Sequence, residues 1–400
     1  MPTAVVILPT STYRATDFLK AAESLGIDLV VASEQPPPFD MGDRYLQIDC
    51  SDPVEAAEAI AILGEKVPID GVIAADDQGV MVAAHASAIL GLVGNPPDAA
   101  AATRDKLAMR DRLSTAEIEQ PSYAGLGPKD NPEEVANEVG FPLVIKPIDR
   151  SASQGVIRVD HPRDVEPAVS RIRNIVGEDA TLLVESFLPG DEIAIEGLIA
   201  DGELSVLAVF DKPNTSSGPH FPETLFITPS RLPAETIAEA ERVASTAVRA
   251  LGLASGPVHV ELRVDGDRAR IIEVAARSIG GLCSRSLSFG LMGSSLESLI
   301  LRNAMGRGAK TLHREPVASG VLMIPTPKSG VLRQVTGEEE TRRIEGITGI
   351  DYTIRPGSGV LAPPEGDRYL GFVYARGDRP ERVEAALRKA METLEVQLEG

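Results

Sequence analysis

Four segments of this chain put charge or glycine where an apolar strand or a plain turn would be expected. Phe141-Pro-Leu-Val-Ile-Lys146-Pro sets a lysine in a strand so apolar that burying its ammonium without an anion would be costly. Asp149-Arg-Ser151-Ala-Ser153-Gln154-Gly155 follows at once, a turn whose N–H groups and hydroxyls can receive phosphate oxygens. Alone, the lysine reads first as a snorkelling edge residue; beside that loop, phosphate contact is the better reading. In Pro257-Val-His259-Val-Glu261-Leu-Arg263 and Arg270-Ile-Ile-Glu273-Val-Ala-Ala-Arg277, joined through Asp265-Gly266-Asp267, two strands form a hairpin. Pairing around that turn brings Glu261 and Glu273 together. Close carboxylates repel unless a cation lies between them, and hard oxygen ligands beside phosphates suit Mg²⁺; a pair of purely structural origin is the alternative.

The third segment runs from Leu182 through Glu185-Ser-Phe187-Leu188-Pro-Gly190 into a strand carrying Glu192, Ala194 and Glu196. Period-two spacing puts those three on one face, which a solvated edge strand would also explain. Glu185 closes an apolar strand at a linker, a fit place to meet an adenine amino group and a ribose. The fourth, Arg104-Asp105-Lys106, opens the helical KLAMRDRL and by itself reads as a solvated basic face. Weaker candidates surround them. His259 shares a strand face with Glu261, and a packed neutral histidine is the plainer reading. His220 and Glu223 lie in a turn-rich segment that is either a substrate loop or a surface connection; Arg285, after Gly280-Gly281, is a candidate for gripping a carboxylate.

The elements that must position these groups fall into an α/β and an α+β part. AVVIL from residue 4, an amphipathic segment with Phe18, Leu19, Ala22 and Leu25, and DLVVAS read as a βαβ start, and GVIAADD at 71–77 adds a strand before a helix from Gln78 to Leu90. Strands at 142–148 and 181–186 are accompanied by helical stretches at 132–139 and 162–176. Strands at 203–211, 257–264 and 268–276 accompany a helix from about 233 to 251. Beyond 316 come VASGVLMIP, GITGIDYTI and YLGFVYARG, with a closing helix expected over 380–396. This divides the chain into units of 1–120, 121–200, 201–310 and 311–400.

Composition excludes several partners. With 39 Lys and Arg against 59 Asp and Glu, the formal charge of −20 repels a phosphate backbone, so no nucleic acid is expected. The two cysteines, Cys50 and Cys283, have no metal-binding spacing and suit a reducing compartment. The start, MPTAVVILPTST, has no basic leader, and Gly79–Gly94 is too short and polar to span a bilayer, so a cytoplasmic protein with no membrane partner is expected. There is no GKS or GKT, no GxGxxG after the first strand, no HExxH and no GxSxG.

Lysine, glycine loop, hinge glutamate, paired glutamates and arginine, in that order over residues 1–305, resemble the ATP-grasp superfamily. DKLAMRDRL, PLVIKPIDRSASQGV, VESFLPGDEIAIEG, GPVHVELR and IIEVAARSIGG are similar to its carboxylate–amine ligase branch, which includes the L-amino acid ligases; 316–396 resembles that branch's C-terminal domain. The resemblance implies an N-terminal parallel α/β domain, a central lid, a nucleotide-binding α+β domain and a C-terminal α+β extension. It implies that Lys106 and Lys146 hold the α and β phosphates of ATP, with Ser151, Ser153, Gln154 and Gly155 as a mobile lid. Glu185 and the backbone of Phe187 and Leu188 would meet adenine, and Glu192 the ribose. Glu261 and Glu273 would ligate Mg²⁺, or Mn²⁺ in its place, and Arg277 would sit by the transferring phosphoryl group. Many members carry Asn two residues after the second glutamate, where this chain has Ala275.

The activity so implied is ATP-dependent joining of a small-molecule carboxylate and an amine through an acyl phosphate, with a homodimer compatible. The alternatives are a carboxylase or ribonucleotide-synthesis ligase activating bicarbonate or formate, and a nucleotide-binding regulatory protein without turnover.

Overall fold

The structure is a computed structural model that describes residues 1–10, 12–36, 41–213, 218–307 and 313–399, with Asp43 as backbone only. It opens with four parallel strands, Thr3–Ile7, Asp28–Ser33, Tyr45–Gln47 and Gly71–Ala74, in the spatial order third, second, first, fourth. Every residue of Thr3–Ile7 is buried, as expected of a parallel strand covered on both faces. The helix Ala15–Leu25 buries Phe18, Ala21 and Ala22, one stripe at helical spacing, while Leu19, part of the expected apolar face, is exposed. Strand order reverses between the first and fourth strands, and in such sheets the crevice beyond the strands' carboxyl ends is where ligands bind.

A second, antiparallel sheet runs Tyr123–Leu126, Leu182–Ser186, Leu143–Pro147, Ile157–Val159 in spatial order. Helices Pro132–Val139 and Val165–Val176 pack on it through Ala136, Val165, Ala168, Val169 and Ile172. Leu143–Pro147 has a neighbour on each side, so Lys146 is not on an edge.

The largest sheet has eight antiparallel strands, ordered Arg268–Ala275, Gly256–Asp265, Asp191–Ala200, Glu203–Asp211, Leu225–Thr228, Ala318–Ile324, Gly371–Gly377 and Ile347–Tyr352. Helix Ala234–Leu251 presses Ala240, Val243, Ala244, Ala247 and Val248 onto its first strands, and Pro380–Thr393 presses Val383, Ala386 and Leu387 onto its last. The structure departs from the sequence expectation in three ways. Asp191–Ala200 is a central strand, not a solvated edge. The boundaries expected at 200 and 310 both fall inside the sheet, because hydrogen bonding continues across them. The final helix stops at Thr393, and Glu395–Glu399, whose side chains alternate in burial, pairs with Gly330–Thr336 in a small separate sheet. Among the described residues, no helix is long and apolar enough to cross a membrane.

Candidate active site

The carboxyl ends of the first and fourth parallel strands, the second sheet and the first half of the large sheet converge on a cavity of about 340 Å³, large enough for a small-molecule site. Thr12 and Tyr13 enter from after the first strand and Asp76 and Asp77 from after the fourth, at the reversal of strand order.

Lys106 reaches the cavity because of how its helix begins. Asp105 caps Lys106–Thr115 by accepting from the N–H of Leu107 and Ala108 at 2.9 and 3.0 Å, and the Lys106 N–H donates to Ile148 O at 2.9 Å. The ammonium then donates to Arg150 O at 2.5 Å and lies 3.2 Å from Glu273. Its side chain is only 9% exposed, so the reading of a solvated basic face is corrected. Lys146 is buried as well, its Nζ 2.6 Å from Glu185. Arg110 donates to the other Glu185 oxygen at 2.5 Å and to the carbonyls of Ile271 and Ile272. Burial pushes the Lys146 pKa down. Burial would raise that of Glu185, but the charges of Arg110 and Lys146 prevail and hold it at about 2.

Between these lysines runs the loop 149–155, in which Ala152, Ser153 and Gly155 all have positive φ (53°, 57° and 72°). Non-glycine residues in that region are strained, and such strain concentrates at functional loops. Ser151 and Ser153 line the cavity. Gln154 and Gly155 do not: Gln154 Nε2 donates to Glu365 O at 2.9 Å and the Gly155 N–H to Pro364 O at 2.8 Å. A Cβ on Gly155 would lie 2.8 Å from Pro147 Cγ, which explains the glycine.

Glu261 and Glu273 are direct cross-strand partners, with a register shift beginning after Glu261, and both border the cavity. His259, buried between Glu196 and Glu261, has its Nε2 3.1 Å from Glu261. Burial would lower the His259 pKa, yet the carboxylate of Glu196, aided by Glu261, raises it to about 9, so the packed neutral histidine is corrected to a charged one. Lys212 sits over the Phe226 ring and pairs with Glu192, Glu223 (2.8 Å) and Glu261 (3.4 Å). Glu192 is also held by Arg263 at 2.9 Å. Burial raises the carboxyl pKa of Glu223, which also accepts from the Tyr369 hydroxyl at 3.4 Å.

Arg277 is 11% exposed and donates through Nε to Asp77 at 2.9 Å. Phe187, Leu188, Gly280 and Gly281 line the cavity. The Phe187 N–H is taken by Pro142 O at 2.9 Å, so of its backbone only the carbonyl stays available to a base. Two candidates lie elsewhere. His220 is not in the lining, and its Nδ1 is buried without a partner. Arg285 pairs with Asp17 at 3.0 Å and Asp351 at 2.7 Å, so no carboxylate-gripping role rests on it.

Sequence reasoning missed Asp77, Arg110, Lys212, Tyr13 and the segment Asp367–Tyr369. Lys212 carried the signal that singled out Lys146, a lysine at the end of an apolar strand, and Asp76-Asp77 closes the strand GVIA in the same manner. Nothing local marks Arg110 or Arg368, whose Nε donates to the Tyr13 hydroxyl at 3.1 Å across the length of the chain.

Among the described residues no three His, Cys, Asp or Glu side chains form a metal-holding cluster. Mg²⁺ does not require one, since it commonly takes one or two carboxylates and completes its shell with water and phosphate oxygens. Glu261 and Glu273, cross-strand partners that both line a cavity with two lysines, fit that pattern.

Comparison with known proteins follows the same outline. The family model of the ATP-grasp domain matches residues 139–286, that of the ATP-grasp N-terminal domain 19–94, and that of the L-amino acid ligase C-terminal domain 2 matches 322–399. The crystal structure of L-amino acid ligase from Bacillus licheniformis superimposes with a TM-score of 0.83 at 25% identity, covering 100% of this chain and 99% of that one. The alanine–anticapsin ligase of Bacillus subtilis (strain 168) is 29% identical over 248 residues, 56% of this chain; the match spans about half the length of that ligase (52%). The L-arginine-specific L-amino acid ligase of Bacillus subtilis is 20% identical over 348 residues, covering 84% of this chain and 82% of that ligase.

Proposed function

This chain belongs to the ATP-grasp superfamily, in the branch of the L-amino acid ligases, and from that premise we propose that it is an ATP-dependent carboxylate–amine ligase acting on amino acids. The observation that carries the reading is the cross-strand pair Glu261 and Glu273 opening on the same cavity as Lys106, Lys146, Arg277 and the serine loop. A binding module without turnover has little use for both carboxylates and the arginine together.

The chemistry has two steps. An oxygen of the substrate carboxylate attacks the γ-phosphorus of ATP and ADP leaves, giving an acyl phosphate. The amine nitrogen then attacks the acyl carbon, inorganic phosphate leaves, the amine gives up a proton, and an amide remains. Phosphoryl transfer calls for positioning and charge neutralisation more than for covalent help from the protein. Lys106 and Lys146 supply positive charge for the phosphates, and the N–H groups and hydroxyls of Ser151 and Ser153 cover them. Phe187 stacks beside Phe221 with the Arg158 guanidinium 4.0 Å from its ring centroid, an apolar and cationic wall suited to a purine. Glu261 and Glu273 would hold Mg²⁺, which when bound neutralises the terminal phosphates. Arg277 sits where the planar fork of a guanidinium can meet either the transferring phosphoryl group or the substrate carboxylate.

The test is incubation of the protein with Mg²⁺ and ATP and a pool of the twenty L-amino acids, following ADP, phosphate and product mass. ADP and phosphate released in equal amounts, with new masses at the sum of two amino acids less water, support the reading. Release that depends on bicarbonate and needs no amine favours the carboxylase alternative, and tight ATP binding without turnover the regulatory one.

A further inference from the structure

Arg277 is held from two directions by the protein itself. Asp77 Oδ2 accepts from Nε at 2.9 Å and the Ser278 carbonyl accepts from Nη1 at 3.0 Å, while no acceptor among the described residues takes Nη2. The other oxygen of Asp77 lies 3.0 Å from Arg104 Nη1. Asp77 belongs to the N-terminal unit, in a short turn directly after the strand Gly71–Ala74. That turn packs closely on the first strand: a Cβ on Gly79 would come within 2.8 Å of Ile7 Cγ2.

A second brace joins the same two segments. Arg14, 1% exposed, donates through Nη1 to the carbonyl of Ala75 at 3.0 Å and to Ser278 Oγ at 2.7 Å, its charge matched by the buried Glu297 at 2.7 Å. The carbonyl of Ala75, two residues before Asp77, and the hydroxyl of Ser278, one residue after Arg277, are thus stitched together through Arg14. Burial would raise the Asp77 pKa, but Arg277 and Arg104 pull it well below the usual carboxylate range, so the group is charged at neutral pH.

We infer that Asp77 is a positioning residue for the reaction: it fixes the plane of the Arg277 guanidinium so that the Nη2 edge meets the reacting groups, and Arg14 holds the two segments in register. The N-terminal unit, outside the nucleotide-binding motifs, thereby sets the rate of phosphoryl transfer. The inference rests on the ligase reading for its kinetic test and on geometry alone for a second one.

The kinetic test compares wild type, Asp77→Asn, Asp77→Glu, Arg277→Lys and the Asp77→Asn/Arg277→Lys double variant in the amino acid pool assay, with ADP affinity measured separately by calorimetry. Asp77→Asn keeps the shape and loses the charge. Its kcat is expected to fall about 100-fold, the order of loss that follows a 1 Å misplacement of a reacting group. The ADP Kd is expected to stay within about twofold. Asp77→Glu should recover part of the rate, and the double variant should be no slower than Arg277→Lys, since the two side chains act as one unit. A kcat within threefold of wild type, a parallel loss of ADP affinity, or multiplicative losses in the double variant would overturn the inference. The second test is independent of turnover: the Arg277 Nε–H signal, assigned by its disappearance in Arg277→Lys, should exchange slowly with solvent in wild type and rapidly in Asp77→Asn. Equal exchange rates overturn the inference even if no pair of amino acids is ever joined; a wild type inert toward the pool, with slow exchange intact, removes the ligase reading and leaves the brace standing.

Discussion

Replacing Glu185 by Gln tests the electrostatics beneath the proposed nucleotide site. The carboxylate lies between two buried cations, Arg110 at 2.5 Å and Lys146 at 2.6 Å, with side-chain exposures of 0%, 6% and 6% for Arg110, Glu185 and Lys146. A group whose pKa is about 2 in the folded chain against an ordinary 4.5 contributes about 3 kcal/mol to folding while it is ionised. The sign follows from the folded value being the lower one. That contribution is complete above about pH 4.5 and is lost as pH falls toward 2. Removing the charge also leaves two buried cations facing each other, so a total loss of roughly 3–5 kcal/mol is expected at pH 7. The assay is urea unfolding followed by circular dichroism and tyrosine emission, with wild type and Glu185→Gln measured in parallel from pH 7 to pH 3.5. The gap between them should be constant above pH 5 and then narrow by about 1.4 kcal/mol per pH unit as the wild-type carboxylate begins to protonate in the unfolded chain. A gap under about 1 kcal/mol at pH 7, or one that does not narrow in acid, would refute a buried, ionised Glu185 as the counter-ion of both cations.

Two further outcomes follow from the site. Glu273→Ala should abolish Mg²⁺-dependent ADP release while the circular dichroism spectrum and thermal midpoint stay near wild type, because Glu273 has 20% of its side chain exposed and the only ion pair it makes among the described residues is with Lys106; retained turnover would contradict its place at the metal. Glu365→Ala removes the bidentate pair with Arg171 (2.7 and 3.1 Å) beside the point where Pro364 and Glu365 bind the serine loop through their carbonyls, so the loop should loosen. The expected result is a KM for ATP raised about threefold to tenfold with kcat little changed, measured by ADP release at saturating amino acids, and an unchanged KM would mean that the exposed pair does not hold the loop.

What the sequence made legible were patterns that complete themselves locally. A lysine inside PLVIKP, an Asp-Gly turn between two apolar runs, and a proline opening the helix at Ala234 each announce a physical problem whose solution lies within a few residues. Counting around the hairpin turn brought Glu261 within one residue of Glu273, and the register shift after Glu261 makes them direct partners. What stayed hidden were partners brought in by topology. Asp77 meets Arg277 across 200 positions, Gln154 meets the Glu365 carbonyl across 211, and nothing in either local segment names the other. Arg285 misled for the same reason: an arginine after two glycines at the end of a site motif looks available, and only the fold reveals that Asp17 and Asp351 have taken it. The boundaries at 200 and 310 were drawn from how strand and helix runs group along the chain, which does not register that the hydrogen bonds of a sheet continue across them.

Most cations lining the cavity are paired with acids, Arg368, which donates to the Tyr13 hydroxyl, being the exception, and the pairs differ in how tightly they are enclosed. Lys146 with Glu185 and Arg277 with Asp77 are sealed: burial would neutralise each acid, yet the neighbouring cations keep both ionised, so separating either pair would strand a charge away from water. Lys106 with Glu273 is different, since Glu273 has the largest exposed fraction of the three acids, 20% against 6% for Glu185 and 13% for Asp77. A pair that water still reaches can exchange partners at modest cost. Entry of a magnesium nucleotide would offer that exchange: on the proposed roles, the ammonium of Lys106 would gain a phosphate oxygen and the carboxylate of Glu273 would gain the cation that accompanies it. The sealed pairs then serve as the fixed frame and the open one as the part that answers the ligand. On this argument, mutation of Lys106 should weaken nucleotide binding without unfolding the protein, whereas mutation of Glu185 should do both.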